Sequence, residues 1–166
     1  TICRQEKVNI IFSGTEKDLK ILSRNKSYLE RETAAKVIVS SGSVLDIAMD
    51  KWKTFSWLVD HGFPAPQSVL PGDEEGIKKL VEQCGFPLII KPRFDSGGSK
   101  GLTIVADEKE LRFYLQKISS PVIQERLGAE DQEYTVGVFV DNQGKCLNAI
   151  AMRRQLHFGL TYKAYV

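Results

Sequence analysis

The chain is poor in cysteine and histidine, and it has no long apolar run and no excess of one charge. Cys3, Cys84 and Cys146 are odd in number and far apart. They offer neither a disulfide framework of the secreted kind nor metal-ligand spacing. With only His61 and His157 beside them, zinc chemistry is not expected. No stretch reaches the ~18 apolar residues that a membrane helix requires, and no signal peptide is read. The chain starts at Thr1 rather than Met, so a leader cut away with an earlier segment stays open. A net charge of +2 from 23 basic and 21 acidic residues leaves no basic block, which argues against nucleic acid or an anionic membrane as partner. A reducing, cytoplasmic setting is the default expectation. What remains is 166 residues of ordinary composition, 42% apolar and 27% charged, enough for one domain or two small ones.

The opening segment has an α/β rhythm. Lys7–Ser13 reads as a buried strand, Glu16 to about Arg31 as a helix interrupted near Asn25, and Lys36–Ser40 as a second strand. Ser43 is expected to cap a short helix through Ala48. Lys51–His61 forms the next helix, with Trp52, Phe55, Leu58 and Val59 on one face and Gly62 as its terminating glycine. The prolines of 63–71 hold that stretch extended. A helix from Asp73 or Glu74 to Cys84 follows, then a strand at Leu88–Lys91, a loop at 93–101 and a strand at Leu102–Val105. Next come a helix from Glu108 to Ile118 capped by Asp107, and a strand at Val122–Arg126. Glu133–Val140 and Lys145–Arg154 read as antiparallel strands around the turn Asp141–Gly144, and the residues from Phe158 onward as the start of an unfinished element.

Three constellations carry chemistry. The first is Lys91, at the end of an apolar strand, with the loop Ser96-Gly97-Gly98-Ser99-Lys100-Gly101. Glycines let successive amides turn toward one anion, serine hydroxyls add donors, and a lysine supplies a compact cation. A strand follows the loop where a P-loop requires a helix, so a flap over phosphates is expected. The bland alternative is a Gly/Ser surface turn. In the second, the exit of the strand Gln124-Glu125-Arg126-Leu127 exposes backbone groups that can pair with an adenine edge, and Glu133, with Glu130 as a rival, can accept both ribose hydroxyls. The third is Lys51 at a helix start. A cation is unfavourable there unless an anion occupies that end, which makes it a phosphate candidate.

Asp50-Lys51, Gly62-Phe63-Pro64-Ala65-Pro66, Phe86–Pro92 with Ser96–Gly101, Val122–Gly128 and Glu133–Asp141 together resemble the ATP-grasp superfamily, more narrowly its carbamoyl-phosphate-synthase-like members. The resemblance implies an α+β ATP-grasp fold in pieces. Residues 1–50 would be the end of a preceding α/β domain and 51–166 the ATP-grasp region. Within that region a small lid subdomain would occupy about 68–126, and a larger antiparallel subdomain would begin at 127–166. It implies that Lys51 and Lys91 contact nucleotide phosphates and that Ser96, Gly97, Gly98 and Ser99 close over them. Gln124, Glu125, Arg126 and Leu127 would border adenine, and Glu133 would hold the ribose. Of Arg153 and Arg154, strand alternation lets at most one face the site, and Arg154 is the catalytic candidate.

The implied reaction is an ATP- and Mg²⁺-dependent ligation in which a small carboxylate or bicarbonate is phosphorylated and then attacked by an amine. A nucleotide-sensing module and an ATP-grasp kinase are the alternatives, and a homo-oligomer stays open. The family's metal-binding Glu-x-Asn arrangement does not occur before Val166. Metal ligands are therefore expected beyond residue 166, and this stretch alone is not expected to turn over. Asp141 reads as a turn residue rather than a ligand. Cys84 reads as a buried apolar residue, His61 as a helix-end residue, and His157 as structural or exposed, with a substrate contact as its alternative.

Overall fold

A computed structural model describes residues 2–94, 101–128, 132–157 and 160–166. The chain divides into two compact units, Thr1–Ala65 and Pro66–Val166.

In the first unit, α1 (Ile2–Gln5) precedes β1 (Ile10–Phe12), α2 (Glu16–Thr33), β2 (Lys36–Ile38), α3 (Gly42–Ala48) and α4 (Lys51–Asp60). β1 and β2 pair in parallel, Ile10 opposite Lys36, with α2 as the crossover. Both strands are shorter than expected. α2 is unbroken at Asn25, whose side chain donates back to the Ile21 carbonyl at 2.8 Å and so stays within the helical pattern. It ends where Ala34 turns left-handed at φ 59° and donates to Glu30 O. The cap of α3 is Ser41, not Ser43: its Oγ accepts from Val44 N three residues on. Ser43 already lies inside the first turn, where it cannot serve as the flanking cap.

α4 starts at Asp50, whose buried carboxylate accepts from Trp52 N and Lys53 N at 3.0 and 3.2 Å. Trp52, Phe55 and Leu58 are half-buried as the spacing predicts, but Val59 is exposed. Gly62, at φ 72°, leads the chain out.

The second unit holds two sheets. In the first, β3 (Ser68–Val69), β4 (Leu88–Pro92), β5 (Thr103–Val105) and β6 (Pro121–Glu125) run antiparallel in the order β3-β6-β4-β5. Helices α5 (Glu74–Cys84) and α6 (Glu108–Leu115) cover one face. Alternation sends Leu88 and Ile90 into a core with Val69, Ile77, Leu80, Val105, Leu111 and Ile123. Ile89 and Lys91 are left on the opposite face. Asp73 and Asp107 cap the helices through Gly76 N and Glu110 N, each at 2.8 Å. The regular part of α6 ends three residues early, although Ile118 N still reaches Tyr114 O.

The second sheet orders β7 (Tyr134–Val140), β8 (Cys146–His157) and β9 (Leu160–Tyr165) antiparallel. The tail, read from sequence as the start of a further element, supplies a third strand over Leu160–Tyr165. Asp141 Oδ1 accepts from Gln143 N and Lys145 N, both at 2.9 Å, so it is the turn residue the sequence predicts. Among the described residues no helix is long and apolar enough to cross a membrane, and no three His, Cys, Asp or Glu side chains cluster as metal ligands.

Candidate functional site

The face of the four-stranded sheet turned away from its helices carries a polar row. Register places Gln124 of β6 between Ile89 of β4 and Ser68 of β3. Lys91 lies two residues along from Ile89 and therefore on the same face. Its Nζ donates to Gln124 Oε1 at 2.6 Å, Gln124 Nε2 donates to Ser68 Oγ at 2.8 Å, and Ser68 Oγ donates to the Pro66 carbonyl at 2.9 Å. Three strands thus hold one lysine. Lys91 and Gln124 were readable from sequence as candidates, but Ser68 was not.

Glu125 takes the other side. It pairs with Leu88, whose side chain enters the core, so its carboxylate turns toward the helices. There Oε1 accepts from Gln67 N at 2.7 Å, and Oε2 lies 3.6 Å from Cys84 Sγ. The Glu125 N–H answers to Gln67 O at 2.9 Å. Burial pushes the Cys84 thiol above its ordinary pKa, and the charge of Glu125 and its hydrogen bond add to the effect. Cys84 is therefore a half-buried residue with a polar partner, rather than only the small apolar filler expected. The Glu125 side chain is engaged within the fold, while Arg126 and Leu127 follow on the exposed exit of β6.

Glu133 and Arg154 meet on the second sheet. Arg154 N donates to Glu133 O at 2.8 Å, and Nη2 donates to Glu133 Oε2 at 3.0 Å. Arg154 Nε is buried with no hydrogen-bond partner among the described residues. Arg153, one residue earlier, points to the other face, with its guanidinium 5.9 Å from the Tyr165 ring centroid. Of the two arginines only Arg154 shares a side with Glu133, and nothing in the sequence spacing foretold their pairing.

Lys51 opens α4 in the first unit and is half-buried. The dipole argument for it weakens, because the anion at that helix end is the chain's own Asp50. Ser96, Gly97, Gly98, Ser99 and the rival Glu130 lie outside the described residues. The described end of that loop, Gly101, has φ 74°, and a Cβ there would stand 2.9 Å from Pro92 Cγ. Glycine is required at that position. His61 stacks on Trp57 with its Nδ1 2.8 Å from the Trp57 carbonyl, a helix-end role. His157 lies near the Tyr162 ring.

A groove of about 590 Å³ between α5 and α6 lies on the helix side, floored by Ile77, Val81, Leu111 and Leu115. Its rim sets Glu74, Glu75, Glu82 and Glu108 against Lys78 and Arg112, a balance that repels a polyphosphate. The polar row, not this groove, suits an anion.

Comparison with known proteins gives a consistent family. The ATP-grasp domain family matches residues 48–158. The carbamoyl phosphate synthase large chain of Campylobacter jejuni is 28% identical over 140 residues, 81% of this chain and 12% of that protein. The present chain therefore spans about an eighth of that curated relative's length. Among solved structures, N5-carboxyaminoimidazole synthetase from Staphylococcus aureus complexed with ADP superposes with a TM-score of 0.63 at 18% identity. That match covers 96% of this chain and 41% of the other. The biotin carboxylase domain of a 2-oxoglutarate carboxylase from Hydrogenobacter thermophilus, in complex with MgADP, ADP and bicarbonate, gives a TM-score of 0.63 at 18% identity. It covers 90% of this chain and 34% of that one.

Proposed function

From a chain that belongs to the ATP-grasp domain family, we propose the nucleotide-binding part of an ATP-dependent ligase that joins a carboxylate or bicarbonate to an amine. In the proposed reaction a carboxylate oxygen attacks the γ-phosphorus of ATP, and ADP leaves. The amine then attacks the acyl carbon and inorganic phosphate departs. Residues 1–50 would belong to a preceding domain and 51–166 to the ATP-grasp region, with its lid at about 68–126.

One observation carries the reading: Lys91 stands on the face of the sheet turned away from its helices, held by Gln124, at the root of the glycine-rich segment. A lysine ammonium steadied by an amide oxygen presents a compact positive charge suited to a phosphate oxygen. Lys51 would be a second phosphate contact, and Ser96, Gly97, Gly98 and Ser99 would supply amides and hydroxyls. Backbone groups around Gln124, Glu125, Arg126 and Leu127 would border adenine. Glu133, aligned by Arg154, would accept the ribose hydroxyls. Magnesium would enter with the nucleotide as counter-charge to its phosphates. The described residues contain no three-ligand cluster for it.

Calorimetric titration of the chain with ADP tests the assignment. Lys91→Ala is expected to weaken ADP binding at least tenfold. Unchanged affinity would return Lys91 to an ordinary surface turn and remove the nucleotide site from this face.

A further inference from the structure

We infer that Ser68 is a positioning residue for the phosphate-binding lysine, acting through Gln124; the inference rests on the nucleotide reading of Lys91. The geometry has a fixed polarity. Ser68 has one hydroxyl proton, and it goes to the Pro66 carbonyl at 2.9 Å. Its oxygen can therefore only accept from Gln124, which turns the amide nitrogen toward it at 2.8 Å. The amide oxygen then faces Lys91 at 2.6 Å. From the other end, an ammonium has donors only and demands the same oxygen. Both termini of the relay select one amide orientation, and that orientation places an acceptor at Nζ.

The relay crosses three strands. Ser68, Gln124 and Ile89 share one row, and Lys91 follows two residues on. All three polar side chains are partly buried, where an amide without its partner is costly. Pro66, preceding β3, has no N–H of its own to compete for nearby acceptors, so it enters only through its carbonyl. The consequence is a lysine whose head group is located before any anion arrives, so that less conformational freedom is lost on binding. The shared chemistry of the ligand is a nucleoside di- or triphosphate, and the effect falls on its phosphates rather than on its base.

The test compares ADP with adenosine on the full 166-residue chain. Ser68→Ala is expected to weaken ADP about fivefold, the worth of one hydrogen bond of about 1 kcal/mol. Adenosine affinity should stay unchanged, and Ser68→Thr should restore ADP because it keeps the hydroxyl. A serine that merely supported the strand would weaken both ligands alike, and that result overturns the inference. So does an ADP-to-adenosine ratio equal to the parent's in Ser68→Ala when Lys91→Ala lowers it; the nucleotide reading then survives alone. If Lys91→Ala also leaves ADP binding intact, the nucleotide reading falls and takes the relay with it. Should Ser68→Ala not fold, Ser68→Val decides in its place, matching threonine in shape but lacking the hydroxyl: the same selective loss of ADP supports the relay, and a parental ratio overturns it.

Discussion

Glu125 offers a perturbation with two separable readouts. Its carboxylate ties the lead-in to β3 through Gln67 N at 2.7 Å and meets the Cys84 thiol at 3.6 Å. Removing it in Glu125→Ala deletes a charge-assisted hydrogen bond, which contributes roughly 1.5–3 kcal/mol where water is excluded. Gln67 N lies at an exposed edge, so water takes over part of the role. The expected loss is about 1 kcal/mol, read as a lower urea midpoint. Glu125→Gln keeps the volume and one carbonyl acceptor, and about half of that loss is expected.

The second readout is the thiol. Burial raises the Cys84 pKa first, and the carboxylate adds to it, so the neutral glutamine lowers it only partway. Alkylation of Cys84 by iodoacetamide at pH 8 should therefore speed up in Glu125→Gln, because more thiolate is present. The sign for stability follows. With the folded thiol raised, its contribution is intact below the ordinary thiol pKa of about 8.5 and is lost as pH climbs through the folded value. The parent should weaken with rising alkalinity, and Glu125→Gln should weaken less steeply. Equal alkylation rates in parent and Glu125→Gln, with an unshifted urea midpoint in Glu125→Ala, would refute this account.

Two further outcomes are expected. Gly76→Ala sits in the first turn of α5, where alanine ordinarily gains up to about 1 kcal/mol of helix propensity. Here the added Cβ would overlap Asp73 Oδ2 and stand 2.8 Å from Val69 Cγ2, so a net loss of about 1–2 kcal/mol is expected, and a raised urea midpoint would contradict it. Glu133→Ala should abolish discrimination between ADP and 2′,3′-dideoxy-ADP in a calorimetric comparison, since the carboxylate paired with Arg154 is the proposed acceptor for both hydroxyls. Retained discrimination would move the ribose contact elsewhere.

Elements whose causes are local were legible in the chain. Asp73, Asp107 and Gly85 bracket their helices because a cap needs only a side-chain oxygen or a permissive backbone within a few residues. The apolar run Leu88-Ile89-Ile90 announced a buried strand, though not which of its residues turn to the core, and Asp141 announced its turn. Cap placement failed where two serines competed, at Ser41 and Ser43, since only the backbone geometry at Ser41 selects between them. The break expected in α2 failed because Asn25 found a carbonyl one turn back.

The site divides along the same line. Lys91, Gln124, Glu125 and Glu133 are candidates on residue type and order alone, which the sequence supplies by itself. Which of them cooperate depends on strand order and register, which no local pattern encodes. The order β3-β6-β4 joins positions 68, 124 and 91 into one relay. The pleat turns Glu125 away from its neighbour Gln124 and toward Cys84, and the β7–β8 pairing brings Arg154 to Glu133. Each of these contacts closes a long loop of chain, and such closure is decided by the burial of the whole sheet face rather than by the residues that meet.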